Sequence, residues 1–275
     1  MLVTLLGTGD TTGTPTVGCD CRTCEEARRR DLERTRFSVH VENERTGESL
    51  LVDASPDFRS QFLREGVPLP DAIVISHIHF DHLDGLGNVF RVLESVDVYA
   101  ADERDEATGA SVAETVGRDY DYLDAVTVQP TTPFESVSVC GLEVTLVPVD
   151  HPPTDCYGLR IEDPATGAVL SITGDTSYDI PAESRAILTG ADLLLADAIV
   201  PASLCEYHPL GGRHEDGNGV PRTFGTKHMT REGALDLAEE LEAEAVRLVH
   251  VAHFYPPEEA FEDPLAIDGE RYRLE

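Results

Sequence analysis

The chain has 275 residues, 41% of them hydrophobic, which is enough to fill a substantial core and argues against disorder. Its 52 Asp and Glu face 21 Lys and Arg, a formal charge of -31 with Lys227 as the only lysine, so nucleic acid and other polyanions are disfavoured as partners. The first residues carry no basic segment and no apolar run approaches the ~20 residues needed to cross a bilayer, which predicts a soluble, cytoplasmic protein with no membrane association.

In chain order, residues 2–6 read as a strand running into Gly7-Thr8-Gly9-Asp10-Thr11-Thr12-Gly13-Thr14-Pro15, where glycine and proline break regular structure. Strands follow at 37–43 and 49–53, then around 72–75 and 96–100, and a hairpin is expected at Cys140-Gly141 between 137–139 and 142–145. Segments 157–162 and 169–173 pair in a second hairpin pattern across Asp163-Pro164-Ala165-Thr166-Gly167, and 193–195 reads as a buried strand. Helices are predicted near 57–65, 102–117, 181–189 and 231–243. In the last, Leu235, Leu237, Ala238 and Leu241 approximate one apolar face ahead of a strand at 246–251. No repeat or linker separates these elements, which predicts one domain over residues 1–275, of α+β class, with two sheets face to face and helices outside. The Gly- and Pro-rich stretch 206–227, with His208 and His214, reads as an active-site lid. The acid is dispersed, not gathered in a tail. With arginine in place of lysine it resembles the solvated surfaces of proteins from salt-loving organisms.

The chemistry-bearing segment is His77-Ile78-His79-Phe80-Asp81-His82, directly after the apolar strand Ala72-Ile73-Val74-Ile75. Three imidazoles and a carboxylate within six positions match the donors that zinc-like ions require. His77 and His79 alternate in extended chain and can reach one ion together, while Asp81 and His82 lie past the turn and can face a second.

H-x-H-x-D-H after a strand resembles the signature of the metallo-β-lactamase superfamily, and the order of later ligand candidates agrees across nearly the whole chain. The resemblance implies an αββα sandwich and two divalent ions, zinc or manganese. His77, His79 and His151 would hold one ion, Asp81, His82 and His250 the other, and Asp175 would join them. It implies that Asp53, at a strand end, orients the metal loop by hydrogen bonding, and that a metal-bridging hydroxide carries out hydrolysis, with Asp53 and Asp81 belonging to the catalytic centre.

Cys19, Cys21 and Cys24 form Cys-x-Cys-x-x-Cys after the glycine-rich loop. Three thiols this close cannot pair off among themselves, and in a cytosolic setting the spacing favours a zinc thiolate, for which His253 is the fourth-ligand candidate. Cys140, Cys156 and Cys205 are isolated and read as small buried residues. The glycine loop, the three cysteines and His250-Val251-Ala252-His253 together resemble the PhnP-type phosphodiesterases, which implies a structural zinc on the cysteines and His253.

His228, in Thr226-Lys227-His228-Met229-Thr230, precedes a helix that Thr230 could cap. In the PhnP-type and tRNA-processing branches a histidine in a similar His-x-Thr setting contacts the scissile phosphate, which implies a catalytic role for His228. Lys227 is a further phosphate-contact candidate. The leading expectation is therefore a two-metal phosphodiesterase acting on a small phosphodiester, linear or cyclic. Alternatives are an RNA-processing nuclease of the same superfamily, a protein of the pyrroloquinoline quinone biosynthesis type, suggested by Asp53-Ala54-Ser55-Pro56-Asp57-Phe58-Arg59, and a non-enzymatic zinc-binding scaffold. Thioester and β-lactam hydrolysis remain compatible with the same metal core. A homodimer is left open.

Overall fold

The computed structural model describes residues 1–105, 108–207 and 221–275. The chain runs β1 (Leu2–Gly7), α1 (Arg22–Arg30), β2 (Ser38–Asn43), β3 (Glu48–Val52), α2 (Phe58–Glu65), β4 (Ala72–Ile75) and a single-turn α3 (Phe80–Leu83) that passes into a 3-10 turn, Asp84–Val89. It continues through β5 (Val96–Ala101), α4 (Val112–Asp119), β6 (Val126–Thr131), β7 (Ser136–Val139), β8 (Leu142–Val149), β9 (Cys156–Glu162) and β10 (Val169–Ile172). The last part holds α5 (Ala182–Leu188), β11 (Leu193–Asp197), the two-residue strands β12 (Thr223–Phe224) and β13 (His228–Met229), α6 (Arg231–Glu240), β14 (Val246–Val249) and β15 (Arg271–Arg273).

Two large sheets result, ordered β15-β1-β2-β3-β4-β5-β6 and β14-β11-β10-β9-β8-β7. Strands β3 to β6 run parallel, as do β10, β11 and β14, while the hairpins β1–β2, β2–β3, β7–β8 and β8–β9 are antiparallel. Strand β11 shows why the sheets stack. Alternate side chains of a strand point to opposite faces, and here Leu193 and Leu195 join the core between the sheets, with Val39, Leu50, Ile73 and Leu159. Leu194 and Ala196 instead face Leu237 of α6 and Leu241 just past its end on the outside. A strand covered on both faces must be apolar throughout, which explains the unbroken run Leu193-Leu194-Leu195-Ala196. Each such leucine is fully buried, a contribution of about 1.5–3 kcal/mol. Helices α5 and α6 cover the second sheet and α2 and α4 pack on the first, so the arrangement is the αββα sandwich of the metallo-β-lactamase type.

The long helix expected at 102–117 begins only at Val112, because Ser111 and Glu114 form a capping box that fixes its start and Arg104 bridges back to Ser111 in extended conformation. The strand expected to reach 251 ends at Val249, where His250 takes a left-handed φ of 56°. Helix α1 and strands β6 and β15 were not among the predicted elements. Helix α1, Arg-Thr-Cys-Glu-Glu-Ala-Arg-Arg-Arg, is mostly charged and buries only Thr23, Cys24 and Ala27, so its periodicity is weak. Thr230 caps α6 as expected, its hydroxyl accepting from the Gly233 amide at 3.0 Å.

Candidate active site and cysteine cluster

The first sheet delivers Asp53 and His77 from the C-terminal ends of the parallel strands β3 and β4. The second delivers His151, Asp175, Asp197 and His250 from the corresponding ends of β8, β10, β11 and β14. Ends of strands that point the same way converge on one rim, the usual place for a ligand site in such sheets. Two of these residues, Asp53 (φ 59°) and His250 (φ 56°), adopt left-handed backbone that turns the chain sharply off its strand.

Asp53 is fully buried and accepts from the Ser76 amide at 2.7 Å, the Ser76 hydroxyl at 2.8 Å and His82 Nδ1 at 2.7 Å. It thereby ties down both ends of the His77–His82 loop and holds His82 through Nδ1, leaving Nε2 on the side of Asp175. His77 Nε2 lies 3.0 Å from His79 Nδ1, and His151 Nε2 lies 3.2 Å from the same atom. His151 Nδ1 donates to the Lys227 carbonyl at 2.9 Å, which aims its other nitrogen at this trio. Beside it, Asp81, His82 and His250 form a second group of donors. Asp175 Oδ2 stands between them, 3.3 Å from His82 Nε2, 3.2 Å from His250 Nε2 and 3.8 Å from His77 Nε2. Thr11 of the glycine-rich loop donates its hydroxyl to Asp81 Oδ2.

The two groups differ electrostatically. Burial holds His77, His79 and His151 below their ordinary pKa, His151 at about 3, so this end presents neutral imidazoles. At the other end burial is outweighed by Asp175 and the neighbouring carboxylates, which lift His82 well up and His250 to about 9. The same pairs hold Asp81 and Asp175 ionised against their own burial. That end therefore demands positive charge. His82 Nε2 and both ring nitrogens of His250 are buried without a hydrogen-bond partner, so hydrogen bonding alone does not satisfy the cluster. Convergent imidazole and carboxylate donors with orphaned nitrogens fit divalent ions.

Two further residues complete the rim. His228, on β13, is buried, stacks on His250 with ring centroids 4.9 Å apart, and donates Nδ1 to Asp197 Oδ2 at 2.8 Å. Asp197 was missed in the sequence, although Leu193-Leu194-Leu195-Ala196-Asp197 repeats the pattern of Leu50-Leu51-Val52-Asp53, an apolar strand closing on an acid. His79, His151, Asp175, His228 and His250 open onto a cavity of about 320 Å³ that Thr11, Thr12, Lys227, Ile199 and Phe254 also line. Of the expected lid, 208–220 lies outside the described residues, including His208 and His214.

Cys19, Cys21 and Cys24 surround His253, each Sγ 3.4 Å from Nδ1. Cys21 caps α1, and the Cys24 amide donates to its sulfur at 3.4 Å. Burial pushes the Cys21 thiol up, but this amide and its neighbours outweigh it and lower the pKa, favouring a thiolate at the helix N-terminus. Four soft donors at near-equal separations fit a tetrahedral zinc. Cys156 and Cys205 are buried as expected, whereas Cys140 is only half-buried.

An αββα sandwich with a His–Asp cluster at its strand ends defines the metallo-β-lactamase class. The Beta-lactamase superfamily domain matches residues 48–251, and the chain belongs to that family, as a hydrolase of the metallo-β-lactamase superfamily with PhnP-like similarity. It is similar to a solved diphosphatase of the PhnP family, with 30% identity and a TM-score of 0.76 over 100% of this chain and 98% of the other. Zn(2+)-bound PqqB of Methylobacterium extorquens shares the fold, with 23% identity and a TM-score of 0.76 over the whole of both chains. Among curated proteins, an octanoyltransferase of Porphyromonas gingivalis is 29% identical over 92% of this chain and 46% of its own length. An uncharacterized protein of Mycobacterium leprae is 32% identical over 46% of each chain. The chain thus spans about half the length of these curated relatives. Among the described residues no helix is long and apolar enough to cross a membrane.

Proposed function

We propose that the protein is a two-metal phosphodiesterase acting on a small phosphodiester, with a separate structural zinc. The observation that carries this reading is the Asp197–His228 pair beside the donor cluster, with His228 on the wall of the same cavity and Asp197 buried behind it. His77, His79 and His151 would hold one divalent ion and Asp81, His82 and His250 the other, with Asp175 shared between them. Zinc and manganese both suit these donors. When bound, such ions lower the pKa of water and neutralise charge on a phosphoryl oxygen.

The chain's own residues do the rest. Asp53 locks the His77–His82 loop, and the Lys227 carbonyl fixes the tautomer of His151. Asp197 accepts from Nδ1 of His228 and so leaves Nε2 as the atom that, when the ring is doubly protonated, can give its proton to a departing alkoxide, the carboxylate stabilising that charged ring. Ile199 and Phe254 supply an apolar wall that keeps water from the reacting group. The dispersed negative charge favours a small substrate over RNA, and the protein is read as one adapted to high salt in the cytoplasm. The solved PhnP-family diphosphatase, alike over full length, supports hydrolysis at a phosphoryl group, without distinguishing an ester from an anhydride. The octanoyltransferase has more than half its length outside the match, so its name carries less weight for this domain.

The test is to reconstitute the protein with zinc or manganese, count metal, and assay linear and cyclic phosphodiesters, thioesters and RNA at high salt. About three ions per chain and preferential turnover of phosphodiesters are expected. Thioester or RNA turnover without phosphodiester turnover would overturn the reading.

A further inference from the structure

The loop that follows β1 is fastened to the chain carrying His250, and its sequence explains how. Gly9 has no room for a side chain, because a Cβ there would lie 2.8 Å from the Arg34 carbonyl oxygen. The loop can therefore pass close to residues 34–35 and still pair with Val251, whose amide donates to the Thr8 carbonyl at 3.0 Å while the Asp10 amide donates to the Val251 carbonyl at 3.4 Å. Val251 directly follows His250, so loop and donor arrive together. Asp10 then turns the chain. Its buried carboxylate accepts from the Thr12 amide at 3.1 Å and the Gly13 amide at 3.0 Å, a turn built by a side chain with Thr11 at its tip.

At that tip the two threonines diverge. The Thr12 hydroxyl turns back to Asp10 at 3.0 Å, whereas the Thr11 hydroxyl donates to Asp81 Oδ2. This oxygen also faces His82 Nε2 and His250 Nε2, each at 3.6 Å, so it is the one turned toward the second donor group. Among the described residues no other hydroxyl or backbone amide donates to Asp81. Other donors of the cluster have outer partners too: Ser76 Oγ lies 3.0 Å from His77 Nδ1, the Lys227 carbonyl accepts from His151, and Asp53 accepts from His82. Such partners fix the direction of a ligating side chain, and losing one costs about 10–100-fold in metal affinity. Threonine suits this task, since its branched Cβ restricts χ1 and its hydroxyl makes a charge-assisted bond to the carboxylate.

Resting on the two-metal reading, we propose that Thr11 is a positioning residue for the second ion: its hydroxyl holds the Asp81 carboxylate toward His82 and His250 and so sets how tightly that group keeps its metal. The His77–His79–His151 trio and the cysteine cluster receive no hydrogen bond from this hydroxyl among the described residues, so the effect falls on the second ion alone.

The experiment equilibrates wild type and variants with zinc buffers of graded free concentration and counts bound zinc per chain at each. The binding step weakened by Asp81→Asn marks the second group. Thr11→Val keeps the branched shape at an exposed position and removes the hydroxyl, and it should weaken that step about tenfold while leaving the other steps in place. Thr11→Ser should restore most of the affinity. An unchanged step in Thr11→Val, a loss spread over every step, or a serine variant as weak as the valine one would each overturn the assignment while the two-metal reading stands. A wild type with no zinc-binding step that Asp81→Asn weakens would instead overturn the two-metal reading, and the role of Thr11 with it.

Discussion

The cysteine cluster and the histidine–carboxylate cluster share a wall, since His253 and Phe254 line the same cavity as His79 and His250, yet they are assembled differently. Three cysteine donors come from six consecutive residues and the fourth, His253, reaches them across the chain, which closes a set of four with no side left for a ligand. The other cluster draws on strand ends of both sheets and opens onto a cavity. Closed four-donor sites contribute folding energy, whereas open ones can do chemistry. Damage to the first should therefore appear in stability and damage to the second in turnover.

The largest expected effect follows from removing the shared carboxylate. Asp175→Ala, and likewise His79→Ala, should lower turnover of bis-p-nitrophenyl phosphate by at least about 10³-fold, because charge stabilisation of that order depends on the whole donor set. Neither side chain belongs to the apolar core, so the melting temperature should change far less than in a core truncation. Near-normal turnover by either metal-replete variant would break the comparison at its functional end.

At the structural end, Cys21→Ser should lose one zinc per chain and several degrees of melting temperature, at about 2–4 °C per kcal/mol for a protein of this size. The ions held by the histidines and carboxylates should remain. Unchanged zinc stoichiometry in the folded variant would reject the cysteine site.

How much of this was legible depends on whether the signal was local. The His77–His82 loop and the cysteine run were readable because several donors sit within six positions. Strand β11 was readable because burial on both faces forces an unbroken apolar run. Asp197 was not, because one acid at a strand end gains meaning only when folding sets it 2.8 Å from His228, 31 residues away. Helix α1 escaped for a related reason. Its stability comes from the Cys21 cap and from packing of Thr23, Cys24 and Ala27, not from an apolar stripe. The start of α4 depended on a two-residue capping box inside a stretch whose composition is helical throughout.

A finer effect separates residues within the open cluster. His228→Ala should retain the cluster's ions but lose about 10²-fold with an alkoxide leaving group, and much less with p-nitrophenolate, which departs without a proton. Asp197→Asn should reproduce the leaving-group dependence more weakly and shift the pH profile, since it acts through His228. Equal losses on both substrates would instead assign His228 to binding, and normal kinetics on both would remove it from the reaction.

The smallest effect uses a histidine that belongs to neither cluster and so separates loss of metal from titration of the fold itself. His40, on β2, is buried with Nε2 donating to the Pro68 carbonyl at 3.1 Å, and its ring packs edge-on against Phe62. Burial, the dominant influence, pushes its pKa down to about 4, against about 6.5 in the unfolded chain. A depressed value means that the unfolded state takes up the proton first. The neutral ring's contribution is therefore fully present above pH 6.5 and is lost as the pH falls through 4, amounting to about 3 kcal/mol at most. Acid also strips ions from both clusters, which would swamp this term in the wild type alone. The difference in unfolding free energy between wild type and His40→Gln, measured at matched metal and salt, cancels that common loss. Between pH 7 and 4 wild type should lose more stability than His40→Gln. Parallel pH curves for the two proteins would show that the acid sensitivity arises at the metal clusters and not at His40.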